Sequence, residues 1–376
     1  MEGKLLAYVG TYTDPILFGT GQVLKGKGEG IYLFELDGDG GGAKLVWKKT
    51  GVTNPSFLDL SPSRRFLYAV NELKDYEGEK TGTLSAFALD AGGGPPGFLN
   101  RKPTFGTDPC HVAVDPSGNY AVVTNYMSGS VCVFPILADG SLGDASDFRQ
   151  HLGSSVNPAR QAGPHAHSAV FDRDAALVFV SDLGTDELVA YGWDGTKGKL
   201  ERRDGLGYKA KPGSGPRHLA LHPRAPFAYL VNELDSSISV LSRDGAGPSF
   251  REIQKIGTLP SGFAGASSCA DLHAAPSGDF LYASNRGHDS IAAFRIASGT
   301  GRLEAIGHFP TGGRTPRSFD IDPSGRVLLA ANQDSDDIFV FRIDRDRGTL
   351  EATGAKLEVP TPVCVRIYAA DLTPTD

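Results

Sequence analysis

A segment with one recurring pattern appears along almost the whole chain, and it constrains the fold more than any single residue does. Each copy holds an apolar run, a turn, a second apolar run and, in most copies, an asparagine close to its end. Five clear copies lie at 54–72, 108–126, 215–233, 268–286 and 315–333, and a more degenerate copy lies at 166–183. A third alternating apolar run follows each copy. Any functional site must therefore lie on the architecture that this repeat builds.

The spacing and composition of the repeat predict β-strands. Its period of about fifty residues is too long for leucine-rich or helical-hairpin repeats and suits one blade of a β-propeller. In turns such as DPSG, proline sets φ and glycine accepts a positive φ, so the two apolar runs form a hairpin. The third run is a third strand, and segments such as 44–50 and 251–257 supply a fourth. No convincing amphipathic helical run interrupts this pattern, so we predict an all-β protein.

The two chain ends supply the parts of one further blade. Residues 5–13 resemble a second strand, residues 30–40 a third, and residues 361–370 a first. Joined in one sheet, they complete a seventh blade and remove an open edge that would invite aggregation. We therefore predict a seven-bladed β-propeller of four-stranded antiparallel blades, closed by the N- and C-terminal strands in one blade. Residues 1–376 would form a single domain, because the length of a ring of blades follows from its repeat.

Composition and charge argue against several classes of partner. The net charge is −7 and no basic stripe dominates, so nucleic acid is not an expected partner. No apolar run is long enough for a membrane helix and no secretion signal is recognisable, so we expect no membrane contact and a cytoplasmic location. The chain has four cysteines without a C-x-x-C pair, expected to be free, mostly buried thiols: Cys110, Cys132, Cys269 and Cys364. The oligomeric state is left open.

Two positions of the repeat hold different residue types in different copies, whereas a structural position would repeat one type. Six residues before the turn position stands a set that we call the head column: Ser56, Cys110, His167, Arg217, Ala270 and Arg317. Ten residues after it stands the tail column: Glu72, Tyr126, Leu183, Glu233, Arg286 and Gln333. Because the two strands of a hairpin are antiparallel, both columns lie at one end of it. Strand one is innermost in a propeller, so this end should line the mouth of the channel.

The two columns contrast with the position just before the tail column, which repeats one residue type. Asparagine stands there in five copies: Asn71, Asn125, Asn232, Asn285 and Asn332. We interpret it as structural, since asparagine readily satisfies the backbone groups of turns. The charges of the head and tail columns could be solvated loop charges or salt bridges between blades. Their convergence favours a site, in which Arg217, Arg286 and Arg317 would bind phosphate or carboxylate groups.

The histidines allow more than one interpretation. His165 and His167 form an H-x-H pair, but no third ligand follows at a recognisable spacing, so we expect no metal. His218 lies one residue beyond the head column, where a core role and a role behind the site are equally supported. Asp271 and His273 are positioned to orient the arginines. The G-x-S-x-G motif is absent, which argues against a serine nucleophile.

At these residues the chain resembles the lactonase family of seven-bladed propellers. This family includes bacterial propeller-type 6-phosphogluconolactonases and fungal 3-carboxy-cis,cis-muconate lactonizing enzymes. The resemblance runs from 8–13 to 361–368 and is most specific at 167–172, 215–223, 229–234, 270–286 and 316–325. It implies four catalytic residues: His167, Arg217, Glu233 and Arg286. We add five expected substrate-binding residues: Arg317, Glu72, His218, Gln333 and Asp271. The stretch 14–29 is a long insertion between strands that could alter substrate access.

The resemblance implies hydrolysis of a sugar-acid lactone, with 6-phosphogluconolactone as the first expectation. The phosphate would dock on arginines, another arginine would polarise the carbonyl, and His167 or Glu233 would take the proton from water. No cofactor is expected, and the partner would be a small anionic lactone. A cycloisomerase of the carboxymuconate type is the alternative enzyme, and a non-catalytic propeller scaffold is the alternative from another class. A calcium-dependent gluconolactonase is disfavoured, because three arginines would repel the ion.

Overall fold

The computed structural model describes residues 3–90, 92–172, 176–243 and 249–370. Regular structure within these ranges consists of β-strands, so the all-β prediction is confirmed for them. None of these residues belongs to a helix that could cross a membrane.

The strands follow the chain in groups that match the repeat. The first group is β1 (Leu5–Thr11), β2 (Ile16–Leu17), β3 (Val23–Leu24), β4 (Ile31–Leu36) and β5 (Ala43–Lys49). Next come β6 (Pro55–Leu60), β7 (Phe66–Asn71), β8 (Thr83–Ala88), β9 (Gly97–Pro103), β10 (Pro109–Val114), β11 (Tyr120–Asn125), β12 (Ser130–Pro135) and β13 (Asp147–Gln150). The degenerate copy begins β14 (Ala166–Asp172), β15 (Leu177–Asp182), β16 (Glu187–Asp194), β17 (Lys199–Arg202) and β18 (Tyr208–Lys209).

The second half of the chain repeats the same grouping. Two copies give β19 (Pro216–Leu221), β20 (Phe227–Asn232), β21 (Ser237–Arg243), β22 (Phe250–Gly257), β23 (Ser268–Ala274), β24 (Phe280–Arg286), β25 (Ser290–Ile296) and β26 (Leu303–Pro310). The last strands are β27 (Pro316–Ile321), β28 (Val327–Asn332), β29 (Asp337–Ile343), β30 (Leu350–Glu358) and β31 (Pro362–Ala369).

These strands form seven antiparallel sheets of four strands, one of which gains β18 as a fifth. Six sheets keep the order of the chain, as in β6-β7-β8-β9, and the seventh has the order β31-β1-β4-β5. The C-terminal strand thus pairs with the N-terminal one, with Val9 opposite Val365. The predicted joining of the two chain ends in one blade is confirmed. The insertion at 14–29 carries a short hairpin of β2 and β3.

The described residues group into two compact units. Unit A comprises Tyr12–Ile31 and Trp47–Pro216 and holds the sheets that begin with β6, β10 and β14. Unit B comprises the described parts of Met1–Thr11, Tyr32–Val46 and Arg217–Leu372, and holds most of the other four sheets. That residues 1–376 form one domain stays a prediction.

Apolar faces of successive sheets form the core within each unit. In unit A, Tyr68 and Val70 of one sheet pack with Ala121, Val123 and Phe134 of the next, and all five are fully buried. The alternation of apolar residues along each strand places them on the same face, which explains this packing. The four cysteines are free and buried, as predicted.

A tyrosine on the second strand of several sheets ties successive sheets together. Tyr68, Tyr229 and Tyr282 are fully buried and donate hydrogen bonds to the carbonyl oxygens of Gly140, Gly301 and Gly348 at 3.0, 3.1 and 3.1 Å. Each glycine lies in the turn between the third and fourth strands of the following sheet and has a positive φ. A buried tyrosine needs a partner for its hydroxyl group, and these turns supply one.

Candidate active site

The head column coincides with irregularities in strand pairing. The register between the first two strands shifts at Ser56, Cys110, His167 and Arg317, and across Ala270 in the sheet that begins with β23. Such bulges leave one residue out of the ladder and redirect its side chain. These head-column residues therefore lie at bulges, where the side chain is not held in the regular alternation of the strand.

Backbone hydrogen bonds place the tail column beside the head column. The N–H groups of Glu72, Tyr126 and Gln333 donate to the carbonyls of Asn54, Asp108 and Thr315 at 3.0, 2.9 and 2.9 Å. Each acceptor lies two residues before a head-column residue. The prediction that both columns share one end of the hairpin is confirmed for these three hairpins.

The asparagine column is structural, as predicted. All five asparagines are fully buried. The side-chain amides of Asn71, Asn125, Asn285 and Asn332 donate to carbonyls of the loop before strand one, at 2.6, 3.1, 2.8 and 3.2 Å. In the degenerate copy Asp182 takes this position and accepts a hydrogen bond from the N–H of His165 at 2.8 Å.

In unit B, two arginines share one carboxylate. Nε of Arg217 and Nη2 of Arg286 donate to the same oxygen, Oε2 of Glu233, at 3.0 and 2.9 Å. Arg217 and Glu233 are only 3% and 5% exposed. Two guanidinium groups and one carboxylate leave a net positive charge in a site from which water is largely excluded. Such a site is suited to a group that becomes negatively charged during a reaction.

Backbone carbonyls of β23 hold the two guanidinium groups in place. Nη1 of Arg217 donates to the carbonyl of Ala270, and Nη2 of Arg286 donates to the carbonyl of Cys269 at 2.8 Å. Burial is the main cause that lowers the pKa of Arg217 to about 10; the nearby Arg286 and Arg317 also act to lower it, and Glu233 opposes them. Arg217 therefore stays charged at neutral pH.

His218 and Asp271 lie directly behind Arg217. Nδ1 of His218 donates to Oδ1 of Asp271 at 2.7 Å, and both side chains are buried. Burial lowers the pKa of His218 to about 4, although Asp271 opposes this shift, so the ring is neutral at pH 7. With its proton on Nδ1, the ring accepts at Nε2 from Nη1 of Arg217 at 3.3 Å.

The carboxylate of Asp271 contacts several groups besides His218. Burial alone would raise its pKa, but His273 and His218 hold the pKa well below 3.8. It also accepts hydrogen bonds from the hydroxyl of Ser318 and the N–H of Phe319, both at 3.2 Å, which link it to β27. Of the five expected substrate-binding residues, His218 thus contacts Arg217, and Asp271 holds His218.

Arg317 and Gln333 occupy the head and tail positions of the sheet that begins with β27. Arg317 is half-buried and close enough to Arg217 to lower the pKa of that residue. Gln333 is 4% exposed, and its Nε2 donates to Oδ1 of Asp334 at 2.8 Å. Unit B therefore carries seven of the nine predicted site residues.

The remaining two, His167 and Glu72, belong to unit A. His167 is 5% exposed, and its ring lies edge-on to that of Tyr126, with centroids 5.5 Å apart. Tyr126 also stacks on His165 at 4.7 Å. Oε2 of Glu72 accepts a hydrogen bond from the hydroxyl of the buried Tyr12 at 2.9 Å.

Sequence reasoning missed the aromatic partners of these residues. Tyr126 stands in the tail column and Tyr12 in the YVGTYT motif, so both carried a positional signal. The hydroxyl of Tyr126 accepts from Nη2 of Arg160 at 3.1 Å, and Arg160 lies in a loop without any repeat signal. Among the described residues, no group of three or more His, Cys, Asp or Glu side chains is placed to hold a metal ion.

Repeated four-stranded sheets and a charged site at the ends of their hairpins place this chain among enzymes built on β-propeller blades. Residues 6–367 match the model of a family described as lactonase, 7-bladed beta-propeller. The chain belongs to this lactonase family, and its seven sheets are the blades. The predicted family, fold class and enzyme class of lactone hydrolase are thereby confirmed.

Similar proteins with assigned names match most of the chain. The 6-phosphogluconolactonase of Bacillus subtilis is 33% identical over 368 residues, which cover 96% of this chain and 98% of the relative. The 6-phosphogluconolactonase of Formosa agariphila is 34% identical over 321 residues, covering 84% and 86%. The solved structure of the periplasmic gluconolactonase of Pseudomonas aeruginosa is 32% identical, with a TM-score of 0.86 and coverage of 97% and 99%.

Proposed function

We propose that this protein hydrolyses the lactone of a sugar acid, with 6-phosphogluconolactone as its substrate. The names of the Bacillus subtilis and Formosa agariphila relatives support this substrate, and the Pseudomonas aeruginosa relative supports the wider class of gluconolactones. The observation that carries the proposal is the pairing of Arg217 and Arg286 with one oxygen of the buried Glu233.

The arginine pair would act on the lactone carbonyl. Attack of water on the carbonyl carbon gives a tetrahedral intermediate with a negatively charged oxygen. One net positive charge, held rigidly by Glu233 and the carbonyls of β23, stabilises that oxygen without reorganising at the moment of reaction. The ring C–O bond then breaks, the ring oxygen takes up a proton, and the open hydroxy acid is released.

Two residues are candidates for the general base, His167 and Glu233, and the hydrogen bonds of Glu233 argue against the carboxylate. Oε2 of Glu233 accepts hydrogen bonds from two guanidinium groups, which makes this carboxylate a poor proton acceptor. We assign Glu233 the task of orienting the arginines. His167 is then the proposed base that takes the proton of water and returns it to the ring oxygen, a role suited to imidazole near neutral pH.

A coupled assay with purified protein tests this proposal. Release of 6-phosphogluconate from 6-phosphogluconolactone is measured against the spontaneous rate, beside glucono-δ-lactone and carboxymuconate. We expect both lactones to be hydrolysed, the phosphorylated one faster, with no loss of activity in EDTA. Cyclisation of carboxymuconate without lactone hydrolysis would reject the proposal.

Variants connect the activity to the site. Arg217→Met is expected to lower kcat about 100- to 1,000-fold, the effect of removing one oxyanion donor. His167→Ala should lower kcat about 100-fold or more through loss of the base. Arg342→Met, at a half-exposed surface arginine paired with Asp39, is the matched control and should keep full activity. Full activity of a folded Arg217→Met protein would show that the reaction occurs elsewhere.

A further inference from the structure

Gln333 has a side-chain orientation that its neighbours determine. Its Nε2 donates to Oδ1 of Asp334 at 2.8 Å, and Oδ2 of Asp334 accepts from the hydroxyl of Thr315 at 2.6 Å. An ionised carboxylate only accepts hydrogen bonds, so the amide must turn its nitrogen toward Asp334. Its oxygen, Oε1, therefore points the other way.

Oε1 of Gln333 is a buried acceptor that receives no hydrogen bond from any residue the structure describes. Native proteins seldom leave such an atom unsatisfied, and each case needs an explanation. Gln254, also in unit B, shows the contrast, because its side chain both donates to and accepts from the backbone of Leu303. Gln333 instead holds an acceptor ready for a donor from outside the protein.

The surroundings of Gln333 restrict what that donor can be. It stands at the tail position of its sheet, the position that Glu233 and Arg286 occupy in the two preceding sheets, and Arg317 lies at the head of the same hairpin. Nε of Arg286 is likewise buried, with no acceptor among the described residues. A cationic donor would be repelled by these arginines. A carboxylate, a phosphate dianion and a lactone carbonyl can only accept, whereas the hydroxyl groups of a lactone ring are neutral and can donate.

We propose that Gln333 selects the substrate by accepting a hydrogen bond from a hydroxyl group of the lactone ring. The inference rests on the proposed function and narrows it, because it requires a polyhydroxylated lactone. A muconate-type polycarboxylate has no such donor and would leave Oε1 unsatisfied. Sites built to bind a hydroxyl group reject the analogue that lacks it far more strongly than apolar pockets reject a missing methylene.

The test is a cycle of one substitution and one deleted hydroxyl group. Gln333→Met keeps the length of the side chain and removes the acceptor. Values of kcat/KM are measured for 6-phosphogluconolactone and its 2-, 3- and 4-deoxy derivatives. We expect Gln333→Met to lower kcat/KM for the parent lactone about 10- to 100-fold. One deoxy lactone should lose a similar factor with the wild type and lose nothing further with the variant.

Gln254→Met, on the fourth strand of its sheet, is the matched control and should leave the preference among the four lactones unchanged. The inference is overturned if Gln333→Met loses the same factor on every lactone. It is also overturned, without any variant, if the wild type hydrolyses all deoxy lactones as well as the parent. Failure of the wild type to hydrolyse any lactone would instead reject the proposed function itself.

Discussion

At the level of single residues, Glu233 compensates the positive charges of the buried Arg217 and the half-buried Arg286. A guanidinium group removed from water is costly unless a carboxylate compensates it. Arg217 is more deeply buried than Arg286, with side-chain exposures of 4% and 16%, and both use the same oxygen of Glu233. The charge balance of the proposed site therefore depends on one carboxylate.

Replacing Glu233 with Gln should lower both the free energy of unfolding and kcat. The amide leaves the buried charge of Arg217 and the half-buried charge of Arg286 without their carboxylate, so the free energy of unfolding should fall by about 3 to 5 kcal/mol. Urea denaturation measures this loss, and kcat should fall with it. Glu187→Gln removes the carboxylate from exposed pairs with Arg202 and Lys209, and should cost less than about 1 kcal/mol. Equal effects of the two substitutions would contradict the role of Glu233 in compensating the charges of Arg217 and Arg286.

A second residue-level prediction concerns the tautomer of His218. Asp271→Asn allows an amide N–H to face Nδ1 of His218, so the ring proton moves to Nε2. There it points at the N–H of Arg217, and the hydrogen bond between Arg217 and His218 is lost. We expect kcat to fall about 10- to 100-fold, the range known for supporting partners of functional side chains. KM and the unfolding midpoint should change less. A variant with unchanged kcat would remove His218 and Asp271 from the positioning of Arg217.

The lowered pKa of His218 predicts a pH dependence of stability. Its pKa is about 4 in the folded protein and 6.5 in a free chain. Between pH 4 and pH 6.5, His218 is therefore protonated in the unfolded chain and neutral in the folded protein. Stability should fall as pH drops from 6.5 to 4, by up to about 3 kcal/mol. His273, whose pKa is raised, is protonated in both states well below pH 6.5 and adds little slope there.

Urea denaturation at pH 7 and at pH 4.5 measures this slope. The wild type and His218→Gln are compared, because glutamine does not titrate. A smaller loss of stability in the variant is expected. If both proteins lose the same free energy of unfolding, His218 is not the source of the acid sensitivity.

At the level of elements, each hairpin end combines one constant and two variable positions. The asparagine clamps the preceding loop, and this clamp allows the neighbouring head and tail residues to vary without loss of the turn. Asn285 shows the clamp best, since it donates to the carbonyl of Thr258 at 2.8 Å and accepts from its hydroxyl at 2.7 Å.

Asn285→Ala should therefore reduce stability without changing the chemistry. It removes two buried hydrogen bonds to Thr258, whose carbonyl keeps its bond with Nε2 of His308, and the loss of the two bonds costs about 1 to 3 kcal/mol. The unfolding midpoint should fall, and kcat of the folded fraction should stay near the wild-type value. Asn119→Ala, at an exposed turn position, is the control and should change neither quantity. A large loss of kcat in Asn285→Ala would instead place the asparagine column in the active site.

The hairpins were predictable because strand alternation and proline-containing turns are local properties. Other elements had no such signal. The two-residue strand β18 pairs with β16 at Glu187 and Leu188, and its sequence shows no alternation that a two-residue strand could reveal. The bonds from Tyr68, Tyr229 and Tyr282 to turn glycines join residues 72, 72 and 66 positions apart. Such contacts depend on how sheets pack, which a local pattern does not contain.

At the level of the whole molecule, one sheet depends on both chain ends. β31 covers one edge of β1, and its own N–H groups at Val365 and Ile367 are bonded to Ser318 and Asp320 of β27 at 3.2 and 2.8 Å. The side chains of the neighbouring sheet thus protect an edge that would otherwise be open.

Deleting residues 362–376 should expose the unpaired edge of β1. We expect the shortened protein to aggregate, because a bare strand edge is a template for pairing with other chains. Size-exclusion chromatography with light scattering measures the outcome, with circular dichroism as the check on remaining strand content. A soluble monomer with the wild-type unfolding midpoint would show that β31 is dispensable.

The sequence by itself determined the number of sheets, the joining of the chain ends and the places of the head and tail columns at the ends of the hairpins. All of these follow from a repeat period, from alternation along strands and from turn chemistry, which act over short distances. Only the tertiary structure decided which side chains meet. His218 finds Asp271 across 53 residues, Arg217 and Arg286 converge on one oxygen of Glu233, and Oε1 of Gln333 is left without a donor among the described residues. Such pairings depend on burial and on the packing of neighbouring sheets, which no single copy of the repeat encodes.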